Sequence, residues 1–328
     1  MVSLFPNIIK KINKKIKELK LKSVKERPEN LVADKKRFYR TIAKTPKEKK
    51  VFFKTLLIKE RGIKNRFLNE INFYKFLKKH PKHPLFNFTP QLLDFSSNPS
   101  FPYLLYKFLP GKSKTKNDKF KKEELQKISK LLIAINRSPY EGLSLIPKIN
   151  ILNFSYYKKR YSFLLKNIQM PFSFKKAILE VIDKNKIFLN NHNISLSHGD
   201  FSESNLIFEQ GKIKLIDWEY VYLRNFLYDF ASFWVKRIDK PQEQKILFNF
   251  FLREYKEKEN CFFPLFKIFL GEICLKNLLL CQKIIKELEK KKNAKGIKKV
   301  TKEKDKYLKI IKNYIIINKE KIYSCKNL

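Results

Sequence analysis

Apolar positions fall into two regimes along the chain. Before residue 111 they come in short runs: Arg37–Ile42 and Val51–Ile58, separated by the turn-rich TPKEKK, predict a β-hairpin. Gln91–Phe95 and Tyr103–Phe108, flanking SSNPSFP, predict two further strands. Between these pairs Phe67, Ile71, Phe73, Tyr74 and Leu77 recur at helical spacing. Leu109-Pro110-Gly111 then breaks the chain. Beyond it helical periodicity takes over, at roughly 121–136, 154–168, 173–190, 225–236, 242–257, 263–290 and 302–318. One interruption stands out: 206–208 and 212–216 read as short strands around Glu209-Gln210-Gly211. The pattern predicts an α+β chain with a sheet-rich N-terminal lobe, 1–110, and a larger helical lobe, 111–328, joined near Lys107–Gly111.

At the start of the chain, Ile8, Ile12, Ile16 and Leu19 share one face of a helix over 7–22 that also carries seven lysines. Such a basic amphipathic helix either lies on a membrane surface or caps a lobe with its lysines in water; capping is the simpler reading.

Composition narrows the class. With 43% hydrophobic and 14% aromatic residues, the 328-residue chain can bury a substantial core. Its net charge is +42, but 63 of the 73 basic residues are lysines and only ten are arginines. Together with abundant Ile, Asn, Phe and Tyr, this matches AT-rich codon usage, so the charge by itself names no partner. Such a surface attracts phosphates, nucleic acid and anionic lipid nonspecifically. No nucleic-acid motif is recognisable, so no specific nucleic-acid partner is expected; a peripheral membrane contact stays open. Cys261, Cys274, Cys281 and Cys325 form no CxxC, which suits a reducing compartment. Neither a signal peptide nor a sufficiently apolar span is evident, so the expected location is cytoplasmic.

The chemistry concentrates in LSHGDFSESNLIFEQGKIKLIDWEY. His198-Gly199-Asp200 is followed five residues after the Asp by Asn205, then by the hairpin, then by Asp217 at a strand end. Phosphoryl transfer needs a carboxylate that orients a hydroxyl and accepts its proton, and oxygen ligands for a Mg²⁺ bridging nucleotide phosphates. Asp200 supplies the first. Asn205 and Asp217, brought back by the hairpin, supply the second. No GxSxG or HExxH occurs to suggest hydrolysis.

These motifs resemble the aminoglycoside phosphotransferase and choline kinase superfamily, small-molecule kinases with a protein-kinase-like fold. HGDFSESN (198–205) resembles its catalytic loop, and the strand 212–217 with Asp217-Trp218-Glu219-Tyr220 its metal-binding element. The resemblance implies a two-lobed kinase-like fold, a phosphotransferase acting on a hydroxyl acceptor, ATP or GTP as donor, and Mg²⁺. It implies His198 as structural support. Asp229, in Asn225-Phe-Leu-Tyr-Asp229-Phe-Ala231, is implied to be a buried acceptor that pins the catalytic loop. It further implies a phosphate-holding lysine, Lys54 in VFFKTLLI, tethered by Glu70 sixteen residues later. In the linker, the backbone at Lys107 and Leu109 is implied to meet the base of the nucleotide.

One departure concerns the phosphate cover. Kinases place a Gly-rich turn between their first two strands, whereas ENLVADKKRF has none and the first glycine of the chain is Gly62. For the acceptor, Trp218, Tyr220, Tyr222 and Trp234 with Glu219 are candidates for an aromatic, carboxylate-bearing site of the kind that binds choline, ethanolamine or thiamine. Core packing is the simpler reading of these aromatics. A sugar, a lipid-linked glycan at a membrane surface, and a non-catalytic basic nucleotide- or nucleic-acid-binding role remain as alternatives.

Overall fold

A computed structural model describes residues 5–25, 37–58, 60–146, 152–190, 194–255 and 259–316. Most of the segment ENLVADKKRF lies outside the described residues. The chain divides into two compact units. The first comprises Met1–Asp118, Arg137–Ile149 and His198–Tyr222, and the second Lys119–Asn136, Asn150–Ser197 and Leu223–Leu328. This grouping differs from a single cut at residue 110, because 137–149 and 198–222 fold with the first unit.

The first unit is built on an antiparallel sheet. It contains β1 (Lys22–Lys25), β2 (Phe38–Lys44), β3 (Lys50–Leu56), β4 (Leu92–Ser96) and β5 (Tyr103–Lys107), in spatial order β1-β2-β3-β5-β4. The hairpin predicted around TPKEKK is present, with Lys44 opposite Lys50 and Phe38 opposite Leu56. Strand alternation sorts the side chains onto two faces. Tyr39, Ala43, Val51, Phe53, Tyr103 and Leu105 form the core on one face. Arg40, Ile42, Phe52, Lys54, Leu104 and Tyr106 occupy the other phase of the alternation.

Helix α1 (Phe5–Glu18) covers the first face. Ile12 is fully buried there, and Ile9, Ile16 and Leu19 pack beside it. The helix stops before the expected residue 22 because Lys20 turns left-handed, with φ 52°. Its apolar stripe is spent on the sheet, so the capping reading holds. Helix α2 (Arg61–Lys79) buries Ile63, Phe67, Glu70, Ile71, Phe73, Tyr74 and Leu77, and ends where Pro81 disfavours a helical His80.

Strand β6 (Lys112–Ser113) pairs with β8 (Leu206–Glu209), which follows β7 (Ile194–Ser197) along the chain and forms a tight hairpin with β9 (Lys212–Leu215). Gly111, just before β6, runs so close to this hairpin that an added Cβ would sit 2.3 Å from the Phe208 carbonyl oxygen.

The second unit is helical: α3 (Lys122–Arg137), α4 (Phe154–Lys166), α5 (Phe172–Lys184), α6 (Lys186–Asn190), α7 (Tyr228–Lys236), α8 (Pro241–Glu254), α9 (Glu259–Lys290) and α10 (Ala294–Ile310). The expected helix 173–190 is broken at Asn185, whose side chain donates to Val181 O. The expected helix 225–236 starts three residues late, because Tyr222–Asn225 is a strand and Asn225 Oδ1 caps Leu227 N. The last helix begins at Ala294 rather than 302, since Asn293 caps Gly296 N, and it ends in a π turn, Ile311–Ile316. Among the described residues no helix is long and apolar enough to cross a membrane.

Candidate active site

The site lies within the first unit. β3 carries Lys54 and α2 carries Glu70, and a 2.6 Å contact joins the Lys54 ammonium to Glu70 Oε2 with both side chains buried. The same ammonium lies 2.6 Å from Asp217 Oδ1. Arg40 Nη2 reaches Asp217 Oδ2 at 3.3 Å. Two cations thus hold one carboxylate. Burial would raise the Asp217 pKa, but Lys54 and Arg40 outweigh it and hold the group well below the usual carboxylate range. Burial likewise works against the Lys54 charge, and Asp217 and Glu70 more than restore it. Glu70 is pushed up to about 7 because burial outweighs its one lysine partner.

Asp217 itself sits in the left-handed region, φ 65° and ψ 57°, between β9 and a short 3₁₀ turn over Trp218–Tyr220. A non-glycine residue there costs about 1–3 kcal/mol, which the surroundings must offset. They do so through packing. Trp218 is fully buried, stacks on Phe73 of α2 with centroids 4.0 Å apart, and donates its indole N–H to Leu215 O.

The segment 198–205 is anchored at both ends. His198 is buried, with Nε2 3.0 Å from Ile216 O, while Asp200 N donates to Nδ1 at 3.3 Å. Since Nδ1 accepts, the ring proton belongs on Nε2, where it donates to Ile216 O. Gly199 has φ 78°, and a Cβ there would lie 2.2 Å from Tyr220 O. Only glycine fits between His198 and Asp200. Asn205 Nδ2 donates to Asp200 O at 2.9 Å and to Asp200 Oδ2 at 3.3 Å, while Ile216 N donates to Asn205 O. The two proposed metal ligands are therefore tied to each other through backbone, and Asn205 and Asp200 through side chains. With the Asn205 amide nitrogen committed to Asp200, its amide oxygen is the atom left for a cation.

Beside these groups opens a slot of about 720 Å³, walled by Ile42, Phe52, Tyr106, Ile207 and Ile216, with Lys107–Leu109 along one edge and Arg40 at its polar end. Lys107 N is committed to Gln91 O and Phe108 N to Lys50 O. A larger cavity of about 1340 Å³ lies among Lys47, Lys78, Phe86, Leu93 and Lys212; neither cavity has Lys54 or Asp217 in its walls, and only the slot includes Arg40 and Ile216.

The two tryptophans among the acceptor candidates follow the core reading. Trp218 is core, as above. Trp234 is fully buried in the second unit, edge-on to Phe266 and Tyr314. Neither indole offers a face to a ligand, because each packs on aromatic neighbours. Glu219 is buried beside Arg37, with Nη1 to Oε1 3.6 Å, and Tyr220 OH accepts from Arg66 Nη1 at 3.0 Å. Asp229 is buried in the first turn of α7.

Arg40, Arg37 and Arg66 are the residues sequence reading missed. In a chain with 63 lysines another cation looks like solvated surface. The available signal was scarcity: three of only ten arginines converge on 217–220.

A kinase-like α+β fold with a lysine–glutamate pair, an apolar slot and a loop–hairpin–aspartate unit defines a phosphotransferase. The chain belongs to the phosphotransferase enzyme family (APH), whose family model matches residues 58–256. No curated protein matches it. Among solved structures it is similar to the choline kinase LicA from Streptococcus pneumoniae, with 17% identity, a TM-score of 0.56, and coverage of 92% of this chain and 99% of that one. A putative aminoglycoside phosphotransferase from Ralstonia eutropha JMP134 gives 12% identity and a TM-score of 0.60, covering 93% and 98%. Amicoumacin kinase hAmiN, solved with AMP-PNP, Ca²⁺ and Ami, gives 14% identity and a TM-score of 0.53, covering 90% and 93%. At these identities the likeness establishes the fold.

Proposed function

We propose that the protein transfers the γ-phosphoryl group of ATP or GTP to a hydroxyl of a small molecule. The observation that carries this reading is Lys54, which bridges Glu70 and Asp217 and stands opposite Arg40, a wall residue of an apolar slot bordered by Lys107 and Leu109. The slot has the flat apolar walls a purine needs; with the Lys107 and Phe108 N–H groups committed, Leu109 N–H and the carbonyls of the segment are the groups for its polar edge.

Asp200 orients the acceptor hydroxyl and takes its proton. Asn205 restrains the Asp200 carboxylate. Lys54, kept charged and aimed by Glu70, meets the phosphates. Asp217 and the Asn205 amide oxygen suit a Mg²⁺: they are hard oxygen donors, and among the described residues no cluster of three His, Cys, Asp or Glu offers a self-sufficient cage. Such an incomplete set fits a cation that arrives with phosphate oxygens, where it would neutralise the charge of the transferring group. The solved amicoumacin kinase, with its AMP-PNP and Ca²⁺, supports nucleotide and divalent cation as cofactors here.

For the acceptor, amino alcohols and sugars both remain in the class. An aromatic cage built on Trp218 and Trp234 loses support, since both are core, and so does Glu219, buried beside Arg37; half-buried Tyr220 keeps its support. The test is a turnover screen with ATP and GTP, Mg²⁺, and a panel from choline, ethanolamine and thiamine to sugars. Phosphorylated product from one class is the expected result. Tight nucleotide binding with no transfer to any hydroxyl compound would instead favour a non-catalytic nucleotide-binding role.

A further inference from the structure

We propose that Arg40 is a second phosphate-binding cation of this site, and that in the free protein it holds the Asp217 carboxylate until metal and nucleotide arrive. The inference rests on the nucleotide-binding reading above.

Register places it. Arg40 lies opposite Lys54 in the β2–β3 ladder, so the two side chains leave the same face of the sheet side by side. Ile42 and Phe52, the next opposed pair on that face, wall the slot. A ligand whose flat ring lies against Ile42 and Phe52 therefore has its polar end at Arg40 and Lys54. The two cations differ in freedom. Lys54 is 1% exposed and fixed by Glu70, whereas Arg40 is 42% exposed, with no carboxylate among its described contacts other than Asp217.

Charge gives the second half. Asp217 has two carboxylate oxygens, and one is spent on Lys54 and the other on Arg40. A cation binding Asp217 repels both and competes with them for the lone pairs of the carboxylate. Arg40, at 3.3 Å and half in water, is the one that can leave, and the phosphates entering with the cation give its planar fork a better partner. Arginine at this point also provides fixed N–H donors where the chain has no glycine-rich turn in its sequence before Gly62.

The experiment uses calorimetric titration of the full chain with Mg²⁺·ADP and with adenosine, and paramagnetic titration with Mn²⁺ alone. For Arg40→Gln, loss of one charge-assisted contact should weaken Mg²⁺·ADP about tenfold. Adenosine, which lacks phosphates, should bind as to the wild type. Mn²⁺ alone should bind about threefold tighter, because a part-exposed ion pair no longer competes for Asp217. Arg40→Lys should fall between, keeping charge but losing the fork.

Unchanged Mg²⁺·ADP affinity overturns the phosphate role. Equal weakening of ADP and adenosine overturns it as well, by showing that Arg40 only shapes the slot. Unchanged Mn²⁺ affinity overturns the holding role. If the wild type binds neither ADP nor adenosine, the nucleotide-binding reading itself fails and this inference with it.

Discussion

Phe73 and Trp218 stack with their ring centroids 4.0 Å apart and planes inclined by 23°. Phe73 stands three residues beyond Glu70 on α2, and Trp218 directly follows Asp217. The contact therefore joins the helix that aims Lys54 to the turn that presents the aspartate. Trp218→Ala should cost about 3–5 kcal/mol of stability. Trp218→Phe should keep the fold but lower turnover more than nucleotide affinity, as read by thermal melting and steady-state kinetics. Equal kcat for Trp218→Phe and wild type would show that the stack serves stability alone.

Asp200→Asn keeps the volume of the side chain and its neighbour Asn205, while removing the proton acceptor. Nucleotide affinity should persist and transfer should fall by about 10² or more. Wild-type transfer by this variant, measured in single turnover, would remove Asp200 from the role of base.

Lys54→Met and Glu70→Gln act through one contact. Lys54→Met should nearly abolish turnover, Glu70→Gln should reduce it less, and the double variant should be little worse than Lys54→Met. Multiplying losses would mean that the two residues act separately.

Glu70 also sets a pH limb. Its pKa is pushed up to about 7 by burial. As pH falls through that value, Glu70 takes up a proton and Lys54 loses its tether, so kcat/KM for nucleotide should drop on the acid side. Glu70→Gln should lack this limb at a lower plateau. Stability runs the other way: a carboxyl whose folded pKa is raised binds its proton more tightly in the folded state, so this group favours folding increasingly from pH 7 towards its unfolded value near 4.5. A kcat/KM limb retained in Glu70→Gln would assign it to another group, such as the nucleotide's own phosphate.

Gly199→Ala forces a Cβ into the Tyr220 carbonyl at a left-handed residue. The variant should melt earlier than wild type and lose transfer, because the loop carrying Asp200 must shift. An unshifted melting curve with full turnover would mean that the 198–205 backbone relaxes freely.

Much of this was readable in the sequence because it is local. The H-G-D and I-D-W-E-Y spellings, the hairpin between them, and a lysine inside an apolar strand are features a few residues long. What was hidden depends on register and on which face a residue occupies. Arg40 becomes part of the site only once Lys44 pairs with Lys50 and the strand phase is fixed. Trp218 and Trp234 stayed ambiguous for the converse reason: an aromatic residue beside such a motif looks the same whether it faces a ligand or, as here and as the simpler reading had it, stacks into the core. Helix ends slipped where capping decided them, at Asn185, Asn225 and Asn293, since a single asparagine side chain outweighed the apolar period.

The first unit takes its chain from three separated stretches, the last ending at Tyr222. During synthesis the sheet, α2 and the lysine–glutamate pair emerge long before the partner aspartate does. Until residue 217 leaves the ribosome, the buried Lys54 ammonium has Glu70 but lacks Asp217, one of its two compensating carboxylates. A fragment ending near residue 118 would carry the five-stranded sheet without β8, β9 or their hydrogen bonds to β6. The unit that holds the chemistry is thus compact in space but not severable in sequence, and its completion waits for two-thirds of the chain.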